Sequence, residues 1–235
     1  VAAAAVEAHC RFSGEGSPRN QYCVSEAGRR GYQWWAALRP LIDEDSLISI
    51  QPYRSGMEFA LLGWPADEPT LRLDFREFSY AGKFVMSNTG KAVVRDPDEQ
   101  RPAPPETDAD YEGAEPGSPE DPFERDVVAA AAFNEDRTDP GVLWIRYITT
   151  RQDRRGDGIG AQLAVFVADH ADRRGYRRCR IAVNNAFSYH ALYKAGFVYT
   201  GRETGLAEVV LERPGERDAA TYQCGLDTFR ASADE

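Results

Sequence analysis

The clearest alternation of apolar and polar positions lies in the second half of the chain. The runs "DVVAAAAFN" (126–134) and "VLWIRYITT" (142–150) are rich in apolar residues, and Asp, Pro and Gly between them favour a turn. Both alternating faces of the second run carry bulky side chains, which predicts a central strand. From Gly158 the pattern changes to helical spacing, and Gly175 ends the helix. The helical stripe consists of Ile159, Leu163, Phe166, Val167 and His170.

The following residues complete an alternation of strands and helices. "RRCRIAVN" (177–184) reads as a strand, and Asn184 or Asn185 can cap a second helix that runs to Gly196. "FVYTG" and "LAEVVLE" supply two closing strands, and residues 214–235 read as a polar, acidic tail. The predicted order is strand, strand, helix, strand, helix, strand, strand.

The first 95 residues predict an α+β region rich in strands. A short helix is expected over 30–42, strands over 45–51, 56–64 and 70–78, and a hairpin over 83–94. The tryptophans of this region, Trp34, Trp35 and Trp64, either line an acceptor pocket or belong to the core, and core is the more common use of such residues.

Residues 96–126 differ in composition from both flanks. They contain 12 acidic residues and 7 prolines, and their bulky apolar side chains are those of Tyr111 and Phe123. Such a segment cannot bury enough apolar surface to offset the entropy of ordering. It therefore predicts a mobile insertion that divides the chain into region 1–95, insertion 96–126, core 127–213 and tail 214–235.

Composition narrows the functional classes. The formal net charge of −10 disfavours a surface for nucleic acid or anionic membranes. No apolar run is long enough to span a bilayer, so a cytoplasmic protein is expected. Of 28 basic residues only Lys83, Lys91 and Lys194 are lysine, a bias that suits either a halophilic surface or a GC-rich gene. The four cysteines lack the spacing of a zinc site, and no metal is expected.

The stretch "RGDGIGA", Arg155 to Ala161, suggests an anion site because it follows a central strand and opens a helix. Amides without partners in a first helical turn attract anions, and glycines let a phosphate approach the main chain. Asp157 lies beside the expected anion and opposes it unless its carboxylate turns away. The residues in question are Arg155, Gly156, Asp157, Gly158, Ile159, Gly160 and Ala161.

Two motifs resemble the GNAT acetyltransferase superfamily. One is R-x-x-G-x-G, carried by Arg155, Gly158 and Gly160; the other is Asn185 followed by Gly196 and Phe197. The resemblance covers about 127–211 and implies an α/β fold with a mixed, splayed central sheet flanked by helices, here with an amino-terminal β-rich extension. It also implies acetyl-CoA as cosubstrate. The implied CoA contacts are main-chain groups of Ile148, Thr149 and Thr150, the amides from Arg155 to Ala161, and Asn185.

The reaction implied is direct attack of an amine on the thioester, with a tyrosine as general acid. The family's tyrosine position falls on Leu192 in this sequence, so Tyr193 or Tyr189 would have to serve unless both simply pack. No base is evident, and Glu203, Glu208 or an amino-terminal residue remains open.

The resemblance predicts an N-acetyltransferase acting on a primary amine, either a small molecule or a peptide. The missing tyrosine leaves open a catalytically weak acyl-CoA-binding or regulatory module. The acidic insertion favours a cationic peptide or polyamine over RNA as acceptor. A homodimer is one arrangement that the sequence allows.

Overall fold

Seven strands and three α-helices make up the described fold. The computed structural model describes residues 56–97, 123–205 and 208–233. The strands are β1 (Glu58–Gly63), β2 (Gly90–Arg95), β3 (Val127–Glu135), β4 (Val142–Thr150), β5 (Arg178–Val183), β6 (Val198–Glu203) and β7 (Val209–Arg213). The helices are α1 (Ile159–Arg173), α2 (Ala186–Lys194) and α3 (Ala219–Ala233).

The strands form one mixed sheet in the order β1-β2-β3-β4-β5-β7-β6. Strands β1 to β4 pair antiparallel, and so do β5, β7 and β6. The two groups are joined by the parallel pair β4 and β5. Parallel neighbours cannot be linked by a tight turn, so α1 makes the connection between them. The predicted mixed α/β fold is confirmed.

The larger core lies between the sheet and the three helices. Leu163, Val167 and Ala171 of α1 pack on Phe133 of β3 and Ile145 of β4. The alanines of β3, residues 129–132, are fully buried and alternate between this core and the opposite face. Because their side chains are small, both covering layers approach the middle of the sheet closely. The strand pattern over 126–134 and the helix predicted from Gly158 are confirmed.

The opposite face of β2 and β3 is covered by an irregular segment, residues 64–89. Leu71, Leu73, Phe78 and Phe84 pack there in a second, smaller core. The strand predicted over 70–78 is wrong, and so is the first arm of the hairpin predicted over 83–94. Leu71 and Leu73 are both buried, which resembles the alternation of a strand. However, Asp74 starts a turn, because the Asp74 carbonyl accepts hydrogen bonds from the amides of Glu77 and Phe78. Single 3-10 turns at Pro65–Asp67 and Ala81–Lys83 complete the segment.

Strands β1 and β2 belong to the same sheet as the carboxy-terminal core, so residues 96–126 join neighbouring strands rather than separate domains. The two ends of that connection are held together: the Asp96 amide donates to the Asp126 carbonyl at 3.0 Å, and Arg95 pairs with Glu124 and Asp126. The mobile insertion was predicted mainly over residues that lie outside the described ranges. The helix and strand predicted before residue 56, with Trp34 and Trp35, also lie outside them.

Residues 214–235 are not the polar tail that the sequence predicted. They contain α3, whose Tyr222, Leu226 and Phe229 pack against the main core. The carboxylate of Asp218 accepts a hydrogen bond from the Thr221 amide at 2.8 Å and caps the helix start. The three apolar residues share one helix face, a pattern obscured by the polar residues between them. None of the helices in the described ranges has the length and apolar composition required to cross a bilayer.

Candidate active site

The sheet opens between β4 and β5. Their pairing is limited to Val142–Ile145 against Arg178–Ile181, so residues 146–150 of β4 have no partner on the β5 side. On its other side β4 stays paired with β3 as far as Thr150. The main-chain groups of Ile148, Thr149 and Thr150 therefore border a gap, as the predicted splay requires. An extended chain that enters this gap can be hydrogen-bonded like an added strand.

A bulge in β4 lies where the two strands part. Ala132 pairs with Tyr147 and Phe133 pairs with Ile145, which leaves Arg146 as the extra residue of β4. A bulge bends its strand and changes the direction of a side chain, and such irregularities are common beside functional sites.

The glycine-rich loop ends in a helix start without a side-chain cap. Gly158 is the N-cap of α1 with φ +78°, and no side chain accepts a hydrogen bond from the first amides. The first intrahelical bond runs from the Gln162 amide to the Gly158 carbonyl, so Ile159, Gly160 and Ala161 lie in the part of the turn whose amides have no intrahelical acceptor. These donors and the positive helix end are the groups that can hold an anion at the carboxyl end of β4.

The glycines of this loop have two different roles. A Cβ built at Gly156 or Gly158 meets no atom within 4 Å, which leaves open space above the backbone at both. Their φ angles of +89° and +78° are in the region that other residues rarely adopt. A Cβ at Gly160 would lie 3.0 Å from the Thr150 hydroxyl, so Gly160 lets α1 start close to β4. The space and the donors fit a pyrophosphate.

Asp157 does not oppose an anion in the way that the sequence suggested. Its carboxylate lies 3.6 Å from Nε of Arg154, which also pairs with Asp96 at 3.1 Å. The Arg155 guanidinium donates to the Ser79 hydroxyl at 2.7 Å and to the Thr150 carbonyl at 3.4 Å. Arg155 forms no ion pair with a carboxylate of the described ranges. It is therefore the arginine of this loop whose charge is best placed for a phosphate.

Asn185 caps α2 as predicted. Its Oδ1 accepts a hydrogen bond from the Ser188 amide at 2.8 Å, and its Nδ2 donates to the Asn184 side chain at 3.2 Å. The residue is exposed, so capping leaves its side chain accessible to a ligand.

Tyr189 and Tyr193 point into the packing between α2 and α3. The Tyr193 hydroxyl donates to the Asp218 carbonyl at 2.8 Å, and the Tyr189 hydroxyl donates to the Tyr222 carbonyl at 3.1 Å. Burial raises the pKa of Tyr193 to about 12, and burial also raises the pKa of Tyr189. Both are core residues here, and the arrangement favours packing over the acid role. Leu192, at the family's tyrosine position, is buried as well.

A glycine of α3 explains why the two helices lie so close. A Cβ at Gly225 would come within 2.2 Å of the Tyr189 hydroxyl, so only glycine fits at the contact. This role of Gly225 has no local signal in the sequence, because α3 itself was not predicted.

The candidate bases lie at the two ends of the connection between β6 and β7. Glu203 is exposed, and Glu208 accepts a hydrogen bond from the Thr204 hydroxyl at 3.1 Å. Glu208 precedes Val209, which pairs with Val183 at the end of β5. Within the described ranges, no three His, Cys, Asp or Glu side chains are grouped to hold a metal ion.

Trp64 belongs to the core, in line with the more common use of tryptophan. Its ring packs edge-on against Phe133 at 5.3 Å, and Arg174 lies over its face at 4.4 Å. A cavity beside Asp169, Cys179 and Arg213 lies at the other end of α1. None of the residues that line it belongs to the glycine-rich loop.

Comparisons with known proteins find one family model and several solved structures. The sequence model of the Acetyltransferase (GNAT) family matches residues 87–197. Among solved structures, the chain is similar to a GCN5-related N-acetyltransferase from Kribbella flavida, with 17% identity over 68% of this chain and 98% of that chain and a TM-score of 0.43. It is also similar to a Bacillus subtilis acetyltransferase in complex with CoA, with 13% identity over 66% of this chain and 97% of that chain and a TM-score of 0.44.

No curated protein matches the chain. The family match contains the parted strands, the glycine-rich loop and the Asn185 motif. Residues 87–197 are therefore identified as a GNAT acetyltransferase domain.

Proposed function

We propose that this protein transfers an acetyl group from acetyl-CoA to a primary amine by direct attack in a ternary complex. The observation that carries the proposal is the uncapped start of α1 beside the gap between β4 and β5. The donor site and the gap lie at the same end of the sheet, so one extended molecule with a pyrophosphate can occupy both. Acetyl-CoA has that form.

Each part of the site has a task in this proposal. The amides from Ile159 to Ala161 and the Arg155 guanidinium hold the pyrophosphate. The main chain of Ile148–Thr150 holds the pantetheine arm, and Asn185 lies at the far side of the gap. The arm then directs the thioester toward the β4 bulge, where a strand amide can polarise the carbonyl while the amine attacks.

The proposed proton transfers do not use a tyrosine as general acid, in contrast to the family pattern. Tyr193 and Tyr189 donate to carbonyls of the α3 region, and a hydroxyl with a raised pKa is a poor acid at neutral pH. The thiolate then leaves toward water or a main-chain amide. The same observation favours a second candidate, a module that binds acyl-CoA and turns it over weakly.

Calorimetric titration of acetyl-CoA tests the proposal, with Gly158→Trp as the disrupting variant. Gly175→Trp is the matched control, because Gly175 has φ +93° and no neighbour within 4 Å of a Cβ, but lies at the opposite end of α1. We expect micromolar binding to wild type and to Gly175→Trp, and none to Gly158→Trp. Equal loss in both variants, or no binding to wild type, would overturn the pyrophosphate site.

Turnover separates the two candidates. Release of free thiol in the presence of a panel of primary amines supports the acetyltransferase. Tight acetyl-CoA binding without release on any amine supports the binding module instead.

A further inference from the structure

The bulged residue of β4, Arg146, lies next to the gap between β4 and β5. Arg146 is the first β4 residue beyond the last pair with β5, and it is the bulged residue. The pantetheine-binding segment proposed above begins two residues later, about 7 Å along a strand. The Arg146 side chain therefore starts at the point where the acetyl group and the acceptor would meet.

Arg146 lies on the sheet face opposite α1. Leu143 and Ile145 belong to the α1 core, so Trp144 between them faces the other way. The Arg146 guanidinium stacks over the Trp144 ring, with 4.5 Å between its central carbon and the ring centroid. Its Nε donates to Oδ1 of Asn134 at 2.7 Å. These two neutral partners fix the direction of the guanidinium.

The acids nearby are already paired with another arginine. Arg180, on the same face, donates to Asp136 at 2.9 Å and to Glu212 at 2.6 Å. The other Asp136 oxygen accepts hydrogen bonds from the backbone and hydroxyl of Thr138. In the described ranges, no carboxylate forms an ion pair with Arg146, and its Nη groups have no hydrogen-bond acceptor.

This arrangement leaves a partly buried positive charge without a matching anion. Burial lowers the pKa of Arg146, an effect that the charge of Asp136 partly opposes. A half-buried guanidinium gains most from a ligand that supplies two acceptor oxygens in one plane, which a carboxylate does. A second cation at this position would be repelled by Arg146 and Arg180.

We propose that the acceptor is a primary amine that carries a carboxylate, as in an amino acid, and that Arg146 binds the carboxylate while Trp144 supports the guanidinium. This inference rests on the proposed acetyltransferase function and gives it a substrate class. It replaces the cationic acceptor that the acidic insertion suggested. The carboxylate is the specificity determinant, and the amine is the nucleophile.

Matched acceptors test this assignment by thiol release from acetyl-CoA. Alanine, alaninamide and ethylamine form one set; lysine, lysinamide and cadaverine form another, and cadaverine represents the polyamines. The enzymes are wild type, Arg146→Met, Arg146→Lys and the control Arg178→Met. Arg178 lies on the same face but is exposed and pairs with Glu212 at 2.9 Å.

For wild type and Arg178→Met we expect kcat/KM at least about tenfold higher for the amino acid than for its amide or amine, because the charged hydrogen bonds to the guanidinium are lost with the carboxylate. Arg146→Met removes this preference chiefly through KM, and Arg146→Lys restores part of it. Acetyl-CoA affinity is unchanged in all variants. Equal or faster transfer to the amides or to cadaverine in wild type, or a preference that survives Arg146→Met, overturns the inference but leaves the acetyltransferase function intact.

If no amine is acetylated, a direct binding measurement distinguishes failure of the carboxylate site from failure of the proposed acetyltransferase function. Amino acids are titrated calorimetrically into CoA-saturated wild type and Arg146→Met. Binding that Arg146→Met abolishes supports the carboxylate site without transfer, and no binding of any amino acid overturns it. Failure of acetyl-CoA itself to bind overturns the proposed function and this inference together.

Discussion

The starts of α1 and α2 follow strands that flank the same gap, but they are built in opposite ways. α2 begins behind Asn185, whose side chain accepts a hydrogen bond from the Ser188 amide. α1 begins behind Gly158, which offers no side chain and leaves its first amides without a cap. A cap typically stabilises a helix by about 1 kcal/mol, so the structure forgoes that stabilisation at one helix only. The uncapped helix is the one that has donors for a ligand.

The surroundings of the two helices also differ, since those of α1 are open and those of α2 are closely packed. Around α1 the loop is open, and Gly156 and Gly158 have empty space above them. Around α2 the polar groups of the tyrosines are bonded to the α3 region and buried. The start of α1 is thus available for binding and α2 is used for packing, and substitutions at four positions test that division.

Gly225→Leu is expected to have the largest effect. Its side chain would collide with the Tyr189 ring, so α3 must move away from α2. Overpacking of this kind costs about 1–3 kcal/mol, and we expect a decrease in the free energy of unfolding at the upper end of that range. Urea denaturation measures it, with acetyl-CoA affinity of the folded variant near wild type. An unchanged unfolding midpoint would show that α3 does not pack tightly on α2.

Gly158→Asp places a negative charge at the uncapped start of α1, and Gly158→Asn supplies nearly the same shape without the charge. Both residues tolerate the positive φ better than most. We expect acetyl-CoA affinity to fall at least about tenfold more for Asp than for Asn, because a carboxylate repels the pyrophosphate and competes for the amides. Calorimetry on the pair measures the difference. Equal affinities would mean that the pyrophosphate is held elsewhere.

Asn185→Ala removes the α2 cap. We expect a loss of about 1 kcal/mol in the free energy of unfolding, the usual cost of a missing cap. Asn185→Ser, which can cap in the same way, serves as the control and should recover most of the loss. If acetyl-CoA affinity falls in the alanine variant by more than the stability change explains, Asn185 also contacts the CoA arm.

Tyr193→Phe is expected to have the smallest effect at neutral pH, under about 1 kcal/mol, since it removes one buried hydrogen bond. Its kcat and the pH profile of kcat should match wild type. A large fall in kcat would restore Tyr193 as general acid.

Tyr193→Phe is also expected to change how the free energy of unfolding depends on pH in alkaline solution. Folding raises the pKa of Tyr193 from 10 to about 12. The contribution of the neutral, buried hydroxyl to the free energy of unfolding is therefore fully present below pH 10 and is lost as the pH rises toward 12. Urea unfolding between pH 8 and 11 should therefore show a shallower decline for Tyr193→Phe than for wild type. Identical slopes would contradict the burial of this hydroxyl.

Much of the fold could be predicted because its signals are local. The runs that form β3 and β4, the helical spacing after Gly158 and the Asn185 cap each depend on residues close together in the chain. The strand prediction within 64–89 is wrong because Leu71 and Leu73 alternate like a strand while their burial comes from packing on β2 and β3. The helix α3 was missed because its apolar face is recognisable only against α2 and β6.

The candidate site likewise combines features that local sequence determines with features that depend on tertiary contacts. The sequence alone determined the glycines at 156, 158 and 160 and the helix start that they open, since turn and capping chemistry act over a few residues. Only the tertiary structure decided that β4 and β5 part after Ile145 and that Arg146 is the bulged residue on the face opposite α1. It also decided that the carbonyls of Asp218 and Tyr222 accept hydrogen bonds from the tyrosine hydroxyls. Those outcomes depend on pairing between residues far apart in the chain, and the energy of such contacts has no local pattern.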